Sequence, residues 1–595
     1  MAETRQLYGL MAIVLGLAII GFLIPQLGTL FQGDAFIADY SAVLHPNGTL
    51  VEDFTYQLNV GDKRFLYRVW DAPLSLSSLS YPYIKFVKVI TPPGSIPYVK
   101  DYQGIVHYPN GGPEFFQIQS LALDNEVGAF APDYYQPGTY HVKYFFVVHP
   151  PIEYDDTDTH INLKLASEHL PYHIATVTLK NTFYIEQLYP HPPTLSKTIS
   201  GNDIILEGTL SQNELLEIEM LITSENQFQG FESFVSNVRQ KTVSANNSYN
   251  MQYYTAMAVM WFNRAMVIVF PILLYLLYRR FGVEKEYTVP TYLSTVPNTQ
   301  RKPWLVNLIF KRDARDFDED GLYSTLLDLE SRKKIKIENK GGWDFIVHVL
   351  DRSGLDQYES KVMRFLDDLA VNGEVNTEYM RGLAEAVRED STIEARVLDL
   401  KNQYNELVSG SEKKVADEFT YNGRPKVLPL VIASIIFFMA PIFMLSFNEN
   451  VARFLYIAII VAVIPFIQST IAFAFPSTLF GRWKSDIYRE KLEWDAFRHN
   501  LSDFSQLQKY EKEDLNMWGQ WLIYGTALGV GKKVAEAMKR LKISYEPATY
   551  LPVMYYLFYP IRTASMPSHG GGVGGGGGGG FGGGGGFGGG GGGVR

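Results

Sequence analysis

The stretch VLPLVIASIIFFMAPIFMLSFNENVARFLYIAIIVAVIPFIQSTIAFAFP, residues 427–476, decides the fold of this chain. It contains two apolar runs, 427–447 and 452–476, which are separated by a short polar loop. Each run has the roughly 20 residues that a helix needs to cross a hydrocarbon layer about 30 Å thick. We therefore predict two transmembrane helices that form a hairpin, since a chain inside a bilayer must satisfy its own backbone groups.

Two further apolar stretches lie upstream of the hairpin. The first covers residues 7–24, and its length is typical both of a signal-peptide core and of a short spanning helix. Residues 1–31 are therefore predicted to be either a signal peptide or an N-terminal transmembrane anchor. The second stretch predicts a transmembrane helix over residues 254–280. The chain thus has three or four predicted spans.

Arg264 is the one charged residue inside the second stretch that needs an explanation. A charge at the centre of a bilayer costs free energy, so it is either functional or placed at the membrane surface. One interpretation makes Arg264 a candidate intramembrane site. The other is that its long side chain snorkels to the outer interface.

Basic residues indicate which side of the membrane each segment faces. They follow the second span and flank the hairpin at both ends, at Arg279, Arg280, Lys285, Arg424, Lys426, Arg482 and Lys484. Such flanks are cytosolic in membrane proteins. We therefore predict a multi-pass protein of the cell membrane, with residues 32–253 extracytoplasmic and residues 281–426 and 477–595 cytoplasmic.

The charge of the chain is unevenly distributed. Residues 32–253 contain 12 Lys and Arg against 24 Asp and Glu, while the whole chain has a net charge of −10. The predicted outer domain is therefore acidic. The chain has no cysteine, which excludes disulfides, thiol catalysis and iron–sulfur clusters.

Short alternating segments fill the predicted outer domain. Between residues 35 and 225, β-branched and aromatic residues alternate with polar ones, and Pro, Gly and Asn interrupt the runs. This pattern predicts an antiparallel β-sandwich over residues 32–253.

An acidic cluster in this domain is the candidate metal site. Asp155, Asp156, Asp158 and His160 place oxygen ligands and an imidazole close together in sequence, as a hard cation requires. The spacing matches no established calcium loop, and a solvated turn between strands is the alternative interpretation. We predict no catalytic residue and no bound cofactor.

The remaining segments are predicted to be a linker, a winged-helix module, a helical domain and a disordered tail. Residues 281–303 form a linker, and residues 304–426 read as helix, hairpin and helix, which is typical of a winged-helix module. The net charge over residues 301–426 is −4, from 21 Lys and Arg against 25 Asp and Glu, and this argues against nucleic acid as a partner. Residues 477–569 are predicted to be helical, and the glycine-rich residues 570–595 are predicted to be disordered.

Several sequence blocks resemble one family, called domain of unknown function 2207, which consists of predicted membrane proteins. The similar features are Trp494, Phe497, LSDF at 501–504, Trp518, LIYGTALGV at 522–530, GTLVE at 48–52, TLLDL at 325–329 and the glycine-rich tail. The resemblance implies a leader, a β-rich outer domain, membrane helices and a cytosolic domain. It implies no reaction or catalytic residue. Residues 166–170, ASEHL, depart from the tryptophan-containing turn expected there.

The function hypotheses follow from this layout. The first is a non-enzymatic envelope scaffold or signalling adaptor that couples the outer β-domain to cytosolic protein partners. The second is a membrane-associated hydrolase or a cation-binding sensor, and the third is a component of a transporter. The predicted partners are membrane lipid, cytosolic proteins and a second copy of the chain.

Overall fold

The computed structural model describes most of the chain. The described residues are 2–30, 33–109, 111–223, 228–386, 391–409, 411–446, 451–510, 514–564 and 587–595. They form two compact units. The helical unit comprises residues 1–18, 267–436 and 464–577, and the β-rich unit comprises residues 19–266, 437–463 and 578–595.

The β-rich unit is built from short strands, numbered here in chain order. They are β1 Ala35–Leu44, β2 Thr49–Leu58, β3 Lys63–Val69, β4 Leu74–Ser75, β5 Tyr83–Ile90, β6 Ile96–Lys100, β7 Val106–Tyr108, β8 Glu126–Tyr135, β9 Gly138–His149, β10 Pro151–Tyr154, β11 Thr159–Ala166, β12 Tyr172–Leu179, β13 Ile185–His191, β14 Ser196–Ser200, β15 Asp203–Leu210, β16 Leu216–Ile222, β17 Phe231–Phe234, β23 Phe587–Gly588 and β24 Gly591–Val594. One short helix, α2 Pro113–Leu121, lies between β7 and β8.

These strands form three sheets. The first has the order β14-β15-β12-β1-β2-β9-β5-β4, the second β13-β16-β11-β10-β17 with β23 also on β11, and the third β24-β3-β8-β6-β7. Strands of all three contribute to one hydrophobic core, which contains Tyr40, Phe54, Leu66, Phe146 and Ile218. The alternation of apolar and polar residues therefore predicted the β-rich character correctly.

The strand pairing differs from the predicted antiparallel arrangement. Among the described strands, four pairs are parallel: β1 with β12, β4 with β5, β10 with β17 and β11 with β23. Parallel neighbours such as β1 and β12 are far apart in sequence, so no turn signal between them reveals the pairing.

Two strands lie in the glycine-rich tail, where disorder was predicted. Strand β24 pairs with β3 in antiparallel register and β23 pairs with β11 in parallel register. The prediction of disorder is therefore wrong for residues 587–595, because these glycines bury their backbone in sheets rather than relying on side chains. Residues 570–586, the first part of the predicted tail, lie outside the described residues, as do residues 565–569 before it.

Within the part of the chain that the structure describes, four helices are long and apolar enough to cross a membrane. They are α1 Ala2–Leu30, α3 Val238–Phe281, α10 Arg424–Leu445 and α11 Ala452–Ala474. The predicted spans are thus found within a few residues, except that α3 begins well before residue 254. Its first turns are polar, VRQKTVSANNSYN, and carry no membrane signal.

A buried glutamine links three of these helices in the helical unit. The amide nitrogen of Gln468 donates to the carbonyl oxygens of Val14 at 2.9 Å and Val267 at 3.2 Å. Polar side chains in a membrane-spanning bundle commonly hold helices together in this way.

The other described parts of the helical unit are short helices, a three-stranded sheet and a two-stranded sheet. The helices are α4 Pro303–Phe310, α5 Glu319–Ser331, α6 Gln357–Leu369, α7 Thr377–Ala386, α8 Ser391–Ser409, α9 Ala416–Phe419, α12 Ile487–Ser502, α13 Phe504–Leu507, α14 Leu515–Ala527, α15 Gly531–Leu541, α16 Glu546–Met554 and α17 Tyr559–Thr563. The strands are β18 Ile335–Gly341, β19 Asp344–Val349, β20 Glu374–Asn376, β21 Thr420–Tyr421 and β22 Arg482–Trp483.

The predicted helix, hairpin and helix are present as α5, β18 with β19, and α6. A capping box between Asp356 and Glu359 fixes the start of α6. The assignment as a winged helix remains a prediction. One hydrophobic core contains side chains from α4, α5 and α6 together with Trp494, Trp518 and Leu551, so segments that precede and follow the membrane hairpin in the sequence pack together.

Candidate functional site

The glycine segment, residues 587–595 with the sequence FGGGGGGVR, occupies a groove in the β-rich unit. Its strand β24 extends the third sheet by pairing with β3, from Gly591 opposite Val69 to Val594 opposite Leu66. Its strand β23 pairs with β11. The groove is therefore lined by the edges of two sheets, both of which offer main-chain hydrogen bonds.

A tight bend joins the two strands of the glycine segment. Gly589 and Gly590 have φ values of 66° and 71°, which residues other than glycine rarely adopt. The bend is held on both sides: Gly589 N donates to Lys164 O at 2.8 Å, and Ser167 N donates to Gly590 O at 2.7 Å. The loop after β11 thus binds the backbone of the segment directly.

Space in the groove is limited to a glycine backbone. A Cβ atom at Gly592 would overlap the ring of Phe54, and one at Gly593 would overlap the ring of Tyr67. At Gly591 it would lie 2.6 Å from the carbonyl oxygen of Glu168. Real Cβ atoms do not approach other atoms so closely, because close-packed interiors have no room for the overlap. The groove therefore selects against side chains at these positions.

A buried arginine connects the glycine segment to the core. The Arg68 side chain is fully buried and its Nε donates to Glu52 at 2.9 Å. One of its terminal nitrogens donates to Gly589 O at 3.0 Å, and the other donates to Leu165 O at 2.7 Å. A buried guanidinium needs all of its donors satisfied, so the glycine carbonyl completes this network.

The far end of the glycine segment carries a charge that the groove neutralises. Arg595 donates to both carboxylate oxygens of Glu126, at 2.6 and 2.7 Å, and its guanidinium lies over the rings of Phe65 and Tyr67 at 5.0 and 4.7 Å. Burial raises the pKa of Glu126, while Arg595 and the hydroxyl of Tyr98 act in the opposite direction. Both hydrogen bonds come from one terminal nitrogen of the guanidinium, and they are stronger than bonds between neutral groups because both partners are charged.

The acidic residues of the candidate metal site have other partners. Asp155 accepts the backbone N–H groups of Thr157, Val238 and Asp158 at 2.8–2.9 Å, and these bonds, in that order, lower its pKa to about 2. It thus closes a turn and caps α3. Asp158 accepts from Arg239 Nε at 2.8 Å, and Asp156 is exposed on the same turn.

His160, the fourth residue of that candidate site, points to a different cluster. Its Nδ1 lies 3.1 Å from Glu153 and its Nε2 lies 2.8 Å from Glu219. Among the described residues, the group with metal-binding geometry is His191 with Glu217 and Glu219. Sequence reasoning missed this group because its members lie on two strands whose register the sequence does not reveal.

Arg264, the candidate intramembrane residue, is partly buried. Its guanidinium lies 4.9 Å from the centre of the Trp261 ring, and its Nε has no hydrogen-bond partner among the described residues. Its neighbour Asn263 donates to the carbonyl oxygens of Phe437 and Ala458 at 3.2 and 3.1 Å. The polar group that joins helices here is therefore Asn263.

Family comparison agrees with this architecture. Residues 37–222 match the N-terminal domain of the family described as "Predicted membrane protein (DUF2207)", and residues 289–538 match its C-terminal domain. The chain belongs to the DUF2207 family. Within this DUF2207 protein, the N-terminal match covers strands β1 to β16 and ends before α3 and the glycine segment. No curated protein matches the chain significantly.

Solved structures give weak matches. Crystal structures of an M1 zinc metallopeptidase from Deinococcus radiodurans, unmutated and as a point mutant, align with a TM-score of 0.19 and 10% identity, over 31% of this chain. The same mutant bound to a Tyr-Ser-Ala substrate aligns with a TM-score of 0.18 and 11% identity. The DUF2207 chain spans 42% of the length of each matched chain. A TM-score this low establishes neither a shared fold nor a shared activity.

Proposed function

We propose that this protein is a non-enzymatic membrane scaffold whose outer β-domain holds a glycine-rich strand by strand addition. The observation that carries the proposal is the glycine segment in its groove, with six consecutive glycines at positions where a Cβ atom has no room. In strand addition the main chain supplies affinity, and the pockets along the strand supply selectivity. Here the selectivity is for six residues without side chains, which are followed by Val594 and Arg595.

The energetics favour a covalently linked strand over a free peptide. Ordering each glycine-rich residue costs about 1–2 kcal/mol of backbone freedom. A main-chain hydrogen bond returns about 0.5–1.5 kcal/mol net. These contributions nearly cancel, so a free peptide binds weakly, whereas a linked one benefits from a high local concentration. We therefore assign the groove to the chain's own residues 587–595.

This assignment changes the predicted sidedness of the tail. Strands that pair lie on the same side of a membrane, so the proposal places residues 587–595 with the outer β-domain, although basic flanks predicted residues 477–595 to be cytoplasmic. This pairing and the predicted cytoplasmic location of residues 587–595 exclude each other, and a crosslink between β3 and β24 distinguishes them.

A disulfide trap tests the proposal, because the natural chain has no cysteine. Leu66 and Val594 are directly opposite each other, next to the hydrogen-bonded pair of Phe65 and Arg595, so they form the closer, non-hydrogen-bonded type of pair. We expect the double variant Leu66→Cys with Val594→Cys to form an intramolecular disulfide in cells. This would appear as a faster-migrating monomer in non-reducing electrophoresis.

The matched control moves one cysteine by a single residue. In the pair Tyr67→Cys with Val594→Cys, the side chains point to opposite faces of the sheet, so no disulfide should form. Failure of the Leu66–Val594 pair to crosslink in intact cells and in purified protein would contradict the proposal. A covalent dimer would instead assign the groove to the glycine segment of a second copy.

The cytosolic half of the scaffold proposal rests on an exposed aromatic pair in the helical unit. The Trp343 ring, at the tip of the hairpin of β18 and β19, is 58% exposed and stacks on Tyr556 at 4.7 Å. Exposed tryptophans are enriched where proteins bind each other. Trp343→Ala should remove cytosolic proteins from a crosslinking pull-down, whereas Lys340→Ala on the same hairpin should not. An unchanged set of partners would refute this half of the proposal.

A further inference from the structure

A polar patch lies on one face of the second sheet of the β-rich unit. Glu217 and Glu219 are two residues apart on β16, so their side chains are on the same face. The register pairs Glu217 with His191 on β13 and Glu219 with Asn162 on β11. Three neighbouring strands thus bring two carboxylates, an imidazole and an amide to one place.

Three of these side chains are buried and close together. His191, Glu217 and Glu219 are only 5%, 5% and 7% exposed. One ligand atom from each lies within 4.8 Å of the others, and His191 Nδ1 is 3.0 Å from Glu217 Oε1. Two buried carboxylates at this separation repel each other and need a cation between them.

A second layer of hydrogen bonds orients the three groups. His191 Nε2 donates to Asn246 Oδ1 at 2.8 Å, which leaves Nδ1 directed towards Glu217. Asn246 Nδ2 donates to Glu219 Oε2 at 2.7 Å, and His160 Nε2 donates to Glu219 Oε1 at 2.8 Å. Metal-binding histidines and carboxylates are typically held in this way by groups behind them.

A further oxygen on the same face has no partner. The side-chain oxygen of Asn162, which lies opposite Glu219 in the register, is buried and makes no hydrogen bond within the part of the chain that the structure describes. An amide oxygen is a hard donor suited to a divalent ion. This unused acceptor lies on the strand next to that of Glu219 and on the same face of the sheet.

We propose that His191, Glu217 and Glu219 bind a divalent metal ion of the Zn²⁺ type. One imidazole and two carboxylates form a ligand set that Zn²⁺ accepts, with a fourth position left for another oxygen. Because Asn246 belongs to α3, the ion fixes the start of this helix to the sheet through the hydrogen bonds of that asparagine. The site is structural in this assignment and independent of the glycine groove.

Metal content of the purified full-length chain tests the proposal. The protein, in detergent, is stripped with EDTA, loaded with ZnCl₂, desalted and analysed by mass spectrometry for metals. The wild type should retain one Zn²⁺ ion per chain, and its thermal unfolding midpoint should rise with Zn²⁺. Glu217→Gln should lose both effects, whereas Glu207→Gln, which changes an exposed carboxylate on β15, should keep them.

A spectroscopic measurement covers the case in which Glu217→Gln does not fold. Co²⁺ bound to the wild type should give visible absorption that Zn²⁺ removes by competition. The proposal is overturned if the wild type retains no metal, gives no Co²⁺ absorption and shows no shift of unfolding with Zn²⁺. That outcome would assign His191 as a protonated partner that donates to Glu217 and Asn246.

Discussion

The glycine groove and the histidine–carboxylate cluster are two regions of the same β-rich unit that select their partners in opposite ways. The groove around Phe54 and Tyr67 accepts residues 588–593 because these glycines lack side chains. The cluster of His191, Glu217 and Glu219 depends on particular side-chain atoms held at particular distances. Substitutions that add volume should therefore disrupt the glycine groove. Substitutions that remove a hydrogen-bond donor or acceptor should disrupt the histidine–carboxylate cluster.

The largest effect on docking of the glycine segment should come from adding a side chain to one of its glycines. In Gly592→Val the new side chain overlaps the Phe54 ring, and overpacking of this kind costs about 1–3 kcal/mol or more. We expect the yield of the Leu66–Val594 disulfide to fall at least about tenfold. Gly382→Val, at a helix position with open space around it, should leave the yield unchanged. Normal trapping of Gly592→Val would mean that the groove does not select glycine.

A lost hydrogen-bonding side chain should damage the cluster while leaving the groove intact. Asn246→Leu removes the donor to Oε2 of Glu219 and the acceptor of the Nε2–H of His191, and each unsatisfied buried group costs about 1–3 kcal/mol. The unfolding midpoint of the β-rich unit should therefore fall, with no change in disulfide trapping. Asn247→Leu, an exposed neighbour on α3, is the control. Equal effects of the two variants would show that Asn246 does not organise the cluster.

Removing the charge of Glu126 should weaken docking of the glycine segment less than adding a side chain to that segment does. In Glu126→Gln, Arg595 keeps an acceptor but loses its ion pair, and its side chain is 30% exposed, so solvent reduces the loss to about 1–2 kcal/mol. Trapping of the glycine segment should weaken about tenfold. Asp133→Asn removes an exposed charge from the same strand, β8, and should have no effect.

The smallest effect should be a dependence of docking on pH. Burial raises the pKa of Glu126, and the ion pair with Arg595 lowers it again, so Arg595 favours the ionised carboxylate relative to the same buried carboxylate without its partner. The contribution of Arg595 to binding should therefore be present above the pKa of Glu126 and be lost as pH falls through it. Fluorescence anisotropy of a labelled FGGGGGGVR peptide, with a chain truncated after residue 564, measures this. In Glu126→Gln the pH dependence should disappear, and its persistence would assign the titration to another group.

The membrane helices and the β-rich character were predictable because both depend on patterns of apolar residues. Helix α10 ends at Leu445 and α11 at Ala474, each two residues before the predicted end. Helix α3 was predicted to start late because its polar first turns pack on a protein surface. No hydropathy pattern marks such turns.

The two regions compared here were not predictable, for different reasons. The glycine segment has no side chains that alternate, so its strands leave no trace in a pattern of apolar residues. His191 and Glu217 are 26 positions apart in the chain and meet only through the pairing of β13 with β16. Register depends on the whole sheet, so the sequence around His160 led to the neighbouring turn of Asp155 and Asp158 rather than to the cluster.

The position of β24 in the chain also affects how the protein is made. Its partner β3 ends at Val69, and the pairing residue Gly591 is 522 positions later, since 591 minus 69 is 522. Ribosomes add roughly 5–20 residues per second, so this strand edge waits between about half a minute and two minutes for its neighbour. During synthesis the edge is open to pairing with strands of other nascent chains. Until Gly591 is translated, the open edge is limited to the seven residues of β3, and so short an edge offers few hydrogen bonds to a strand of another chain.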